Sequence, residues 1–132
     1  MTLFFIKKSS LISALLISTC ACAQNIDDKI LCPSIDIIQL SSKKIDAAQK
    51  IDNKYIVYTA TSVYQTNNLW WFVGVGDIFA ESSDEAIVKG KEITQKASIL
   101  EDVYATKQGN EFICKYWPGY IQARGKDLSF TY

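Results

Sequence analysis

The sequence predicts an α+β domain, an antiparallel sheet of β-hairpins packed against one long helix, with a short N-terminal helix and one disulfide. Three observations predict it. Aromatic and β-branched runs flank a turn-rich segment at 65–68, a capped helical stripe begins at Ser82, and further short strand-like runs follow. Strands, then one helix, then more strands place the helix on one face of an antiparallel sheet.

The first element is not part of that domain. Lys7 and Lys8 precede an apolar run at 11–17, and Ala21-Cys22-Ala23 is a small-residue cleavage site. This three-part pattern is that of a secretory signal peptide, giving residues 1–23 as leader and 24–132 as a single small secreted domain. The apolar run is too short for a stable transmembrane anchor, which needs roughly 20 residues. Cys20 and Cys22 are poorly framed for lipidation: Thr19 precedes the first, and the second lacks the usual upstream leucine. Cleavage after Ala23 is therefore preferred to a lipoprotein, and an exported protein, periplasmic or extracellular, is expected.

Removing the leader turns a formal charge of zero into −2, from 12 basic and 14 acidic residues, and leaves no histidine and no methionine. Without a clustered basic excess a nucleic-acid partner is not expected. Cys32 and Cys114 remain as the only pair, so one intramolecular connectivity exists, and export supplies the oxidising compartment. The alternative, a free thiol for metal binding or exchange, has no C-x-x-C motif behind it.

Pro33 fits the first turn of a short helix whose apolar face is Ile35, Ile38 and Leu40, ending near Ser42. Residues 42–53, rich in lysine and aspartate, read as a connector with at most a helical turn. Residues 55–64 read as a strand by propensity. Gln65-Thr66-Asn67-Asn68 is turn chemistry, and 69–80 is the return strand of a hairpin. On that strand Leu69, Trp71, Val73 and Val75 line one face and Trp70, Phe72, Gly74 and Gly76 the other. Both faces are apolar, which suits a strand covered on both sides or one whose second face meets a ligand.

Ser82 with Glu85 forms a capping box. Ala86, Gly90, Ile93, Ala97 and Leu100 follow at helical spacing, extending the expected helix over 83–103. Short strands at 104–107, 112–117 and 120–124 follow, with turns at 108–110, 118–119 and 125–126, and 128–132 reads as a last edge strand.

The chemical inventory points away from catalysis. No histidine is present to serve as a general base, no G-x-S-x-G occurs, and Gly74-Val75-Gly76 lacks the third glycine and parallel setting of a dinucleotide site. The acidic pairs Asp84-Glu85 and Glu101-Asp102 sit at the ends of the expected helix, where Asp84 and Glu85 suit its macrodipole. A non-enzymatic binding protein is expected. Trp70, Phe72, Tyr116 and Tyr120 are the candidate ligand-binding aromatics, because strand alternation forbids all the aromatics from pointing inward, and Arg124, with Lys115 and Lys126, is a candidate partner for an anionic group. The partner is then a small apolar ligand or another protein.

The leader, Cys32-Pro33-Ser34 before an apolar helix, the aromatic Trp70-Trp71-Phe72, the helix entered through Ser83-Asp84-Glu85-Ala86, and Cys114-Lys115-Tyr116 share an order. In that order the chain resembles the hemin-binding-protein-like family of small secreted Legionella proteins, most of which have no known activity. The resemblance spans nearly all of 24–132. It implies an exported, disulfide-bonded domain and suggests hemin as a ligand. With no histidine or methionine after the leader, tyrosine is the remaining axial donor type, namely Tyr116 or Tyr120, with Lys115 or Arg124 for the propionates. The rival reading is a protein-interaction module, such as an inhibitor of an extracellular enzyme or a host-directed factor.

Overall fold

The computed structural model describes residues 29–66 and 68–127, so the expected leader at 1–23 and the expected edge strand at 128–132 lie outside the described residues. The unit that carries the fold is Leu31–Tyr132. Its element order is α1 (Ile35–Ser41), a 3-10 turn (Ser42–Lys44), β1 (Ala47–Ile51), β2 (Lys54–Tyr58), β3 (Tyr64–Thr66), β4 (Leu69–Ile78), α2 (Ser83–Gln95), β5 (Ile99–Leu100), β6 (Thr106–Gln108), β7 (Glu111–Trp117) and β8 (Tyr120–Asp127). The fold class is α+β, with eight antiparallel strands in one sheet ordered β1-β2-β4-β8-β7-β5, β3 pairing with β4 and β6 with β7.

Cys32 and Cys114 form the disulfide, with 5.8 Å between their Cα atoms. It ties the segment before α1 to β7 across 82 residues, a closure that the chain-entropy model values at about 4.5 kcal/mol.

Helix α1 starts where expected, although Ser34 rather than Pro33 opens it, its hydroxyl accepting from the Ile37 N–H at 3.4 Å. Helix α2 also opens as expected, with the Ser82 hydroxyl accepting from the Glu85 N–H at 3.1 Å. Glu85 returns the bond one residue further out, accepting from the Glu81 N–H at 3.0 Å. That bond, and then Lys89 at 3.2 Å, hold the Glu85 carboxyl below the usual carboxylate range.

The helix is not the long one expected. It covers 13 residues and stops at Gln95. Lys96 and Ala97 turn back onto the carbonyls of Ile93 and Thr94, and the Ser98 N–H donates to the Trp117 carbonyl at 2.9 Å, starting β5. Leu100 belongs to that strand, and the buried stripe of the helix is Ala86, Gly90 and Thr94 rather than Ile93. A spacing of four and three continues through 97 and 100, but tertiary hydrogen bonds override it.

Three other expectations are corrected. Residues 47–51 form edge strand β1, because the turn at Asp52, in the left-handed region with φ 57°, folds them back onto β2. Pairing outweighs their poor strand propensity. The run 55–64 is two strands. Its Thr59 N–H donates to Val73 O at 2.9 Å, the Ala60 N–H turns to Asp46 Oδ1, and the chain rejoins β4 at Val63. Gly125-Lys126 is no turn: β8 runs through it, and a Cβ at Gly125 would lie 3.0 Å from the Trp71 indole. The glycine makes room for a ring rather than for a bend.

The helix side of the sheet is the core. Val57, Trp71, Val73, Val75, Ile121 and Ala123 are buried there with Ile38 and Ala86. Gly90 brings α2 down on β2, since a Cβ there would fall 2.2 Å from Val57 Cγ2. A bulge at Asp77, φ 56°, shifts the register of β4 against β2, which is why Ile78 is buried together with Val75 despite the odd spacing.

Candidate functional site

Alternation along β4 sends Leu69, Trp71, Val73 and Val75 into the core, as expected, and leaves Trp70, Phe72, Gly74 and Gly76 on the opposite face. On that opposite face lies an open trough of about 550 Å³. Strand β2 contributes Ile56 and Tyr58 to it, β4 contributes Phe72, Gly74 and Gly76, and β8 contributes Tyr120, Gln122, Arg124 and Lys126. The volume falls in the range of small-molecule sites, about 300–1,000 Å³.

The trough exists because two consecutive outward positions of a central strand carry no side chain. Gly74 pairs with Tyr58 on one side and Gln122 on the other, and Gly76 pairs with Tyr120. A Cβ at Gly76 would meet only Tyr120 Cβ, at 3.7 Å, so its glycine is not demanded by packing. A Cβ at Gly74 would come within 3.2 Å of the Val57 carbonyl oxygen, so there the neighbouring backbone also favours glycine.

The face has two different ends. At one end, Ile56, Tyr120, Trp117 and Ile99 follow one another across β2, β8, β7 and β5, with Trp117 60% and Tyr120 64% exposed. At the other end, Arg124 pairs with Phe72 across the β4–β8 ladder and Lys126 with Trp70. The Lys126 ammonium sits 5.1 Å from the centroid of the Phe72 ring, a cation–π contact. Both cations also meet one carboxylate, Arg124 Nη1 to Glu111 Oε1 at 3.3 Å and Lys126 Nζ to Glu111 Oε2 at 3.8 Å. These pairs are largely exposed, which limits each to about 0–1 kcal/mol.

Of the residues singled out from sequence, Phe72, Tyr120 and Arg124 come together in the trough. Trp70 shares the face but lies beyond the lining, at the charged end. Tyr116 is on the other side of the sheet. It is buried, and its hydroxyl donates to the Pro33 carbonyl at 2.6 Å, closing α1 onto β7 beside the disulfide. Burial pushes its phenol well above the ordinary range. Tyr116 and Tyr120 lie four residues apart, yet the hairpin turn between them places them on opposite faces. Lys126, expected with Arg124 to meet an anionic group, does line the trough, whereas Tyr58 and Glu111 were not among the candidate site residues. Tyr58 was visible as one of the aromatics of its run, whereas the meeting of Lys126 with Phe72 and Glu111 needs the cross-strand register.

Among the described residues no group of three or more histidine, cysteine, aspartate or glutamate side chains is placed to hold a metal ion. Nor is any helix among them long and apolar enough to cross a membrane. The fold and trough define a disulfide-bonded α+β protein with an aromatic groove on the sheet face opposite its helices. No protein-family model, no curated protein and no solved structure matches the chain.

Proposed function

We propose that this is an exported, non-enzymatic binding protein that holds a small apolar ligand on the open face of its sheet. The observation that carries the reading is the trough itself, a glycine floor between Tyr58 and Tyr120 with Phe72 beside it. Apolar rings around a side-chain-free floor offer a flat contact surface that a folded domain otherwise covers. Export is supported by the leader-like residues 1–23 and by the Cys32–Cys114 bridge, which persists in oxidising compartments.

Hemin, the ligand suggested by the family resemblance, is the first candidate. Tyr120 and Tyr58 are the phenols that line the trough, and Arg124 and Lys126 are the cations suited to its propionates. Tyr116 is withdrawn from the ligand set, because its hydroxyl is engaged on the far side. The test is a hemin titration of the oxidised protein. A Soret shift that saturates at one equivalent and is weakened by Gly76→Phe and by Tyr120→Phe supports the reading. A shift indifferent to both substitutions and matched by an unrelated apolar protein sinks it.

The second reading, a protein-interaction module, draws on the exposure of Ile99, Trp117 and Tyr120 at the apolar end. A partner protein seated there is lost on Trp117→Ala and retained in Gly76→Phe, the reverse of the pattern for a ligand in the trough.

A further inference from the structure

Among the described residues that line the trough, the two cations Arg124 and Lys126 stand at one end, none is acidic, and those at the opposite end, Ile56, Gly76 and Tyr120, are uncharged. From the Phe72–Arg124 pair to the Gly76–Tyr120 pair is four residues along the ladder, about 14 Å at strand rise. A ligand lying along this path meets positive charge first and aromatic surface last.

What now neutralises the cations is a carboxylate. Glu111 reaches across from β7 and places one oxygen toward Arg124 and the other toward Lys126. At 3.3 and 3.8 Å, with all three side chains partly exposed, the contacts are loose and readily exchanged. Lys126 meanwhile lies over the Phe72 ring at the wall of the trough, with its side chain still exposed.

We infer that the trough takes a free long-chain monocarboxylate, its acid group displacing Glu111 from Arg124 and Lys126 and its chain lying over Gly74 and Gly76 toward Tyr120. Glu111 acts as an internal counterion that competes with the ligand's own carboxylate. The inference rests on the reading that the trough binds an apolar ligand, and it names a ligand class other than hemin together with its direction along the trough.

The test compares dodecanoate with dodecanol, both below their aggregation limits, by calorimetric titration of the oxidised protein. Dodecanoate is expected to bind at least about tenfold more tightly, a difference of about 1.4 kcal/mol. Glu111→Gln is expected to strengthen dodecanoate several-fold and leave dodecanol unchanged. The double change Arg124→Gln with Lys126→Gln is expected to bring dodecanoate to the level of the alcohol. Equal binding of acid and alcohol in the unchanged protein, both blocked by Gly76→Phe, overturns this inference while leaving the trough as an apolar site. Weaker dodecanoate binding in Glu111→Gln also overturns it. Binding of neither compound, together with a hemin response indifferent to Gly76→Phe, overturns the trough as a site altogether. Co-sedimentation with phosphatidylcholine–phosphatidylglycerol vesicles without uptake of the free acid replaces it with a membrane surface.

Discussion

The two faces of β4 are built from the same ten residues and have opposite characters. On the helix side Trp71 is fully buried, its indole nitrogen donating to Thr66 Oγ1 at 3.0 Å and its ring lying over Gly125. On the other side Phe72, one residue along, is half-buried beside a trough. Each face has an aromatic ring and a glycine, but the glycine is used in opposite senses. Gly125 gives up its side chain so that a ring can fill the space, and Gly74 and Gly76 give up theirs so that the space stays open. Apolar composition alone therefore does not tell a core from a binding surface. What separates them is whether another element has come to rest on the rings.

Paired substitutions across the sheet test that contrast. The largest difference is expected for the rings. Trp71→Ala removes a fully buried indole and should lower unfolding stability by about 3–5 kcal/mol, whereas Phe72→Ala should cost less than about 1 kcal/mol. Urea melts of the two variants check this, and equal losses would mean that the trough face is covered after all.

The glycines come next. An alanine at Gly90 drives its Cβ into Val57, which is stiff and fully buried. Overpacking outweighs the helix propensity gained, for an expected net loss of about 1–2 kcal/mol. At Gly76 the same substitution meets ordinary contact and should stabilise by about 0.4–1 kcal/mol through the unfolded state. Opposite signs in thermal melts sharpen the contrast, and a loss at both positions breaks it.

The smallest effect is at the tyrosines. Tyr116→Phe removes the hydroxyl that satisfies the Pro33 carbonyl and should cost about 1 kcal/mol without altering ligand response. Tyr120→Phe should leave stability unchanged and weaken the hemin response. A ligand effect at Tyr116 would contradict its placement on the covered face.

Much of this architecture was legible beforehand, for identifiable reasons. The start of α2 was readable because its signals, Ser82 and Glu85, act within one turn. The division of β4 into two faces was readable because alternation is a property of the backbone. With the expected leader set aside, Cys32 and Cys114 left one intramolecular pairing. The end of α2 was not readable, because Ser98 stops the helix by bonding to Trp117, a residue 19 positions away. Edge strand β1 was hidden because its lysine and alanine side chains carry little strand preference, and its structure comes from pairing with β2.

The site divides the same way. Phe72, Tyr120 and Arg124 were recognisable as outward candidates on strands, and the apolar second face of β4 already hinted at a ligand. That Tyr116 belongs to the core, and that Lys126 and Glu111 belong to the trough's charged end, depended on register across β4, β8 and β7. Local chemistry and backbone periodicity are written residue by residue, so the sequence alone determined the strand faces, the helix cap and the one available disulfide. Which face is covered, where the helix stops and which charges meet arise from contacts between residues far apart in the chain, and those only the tertiary structure decided.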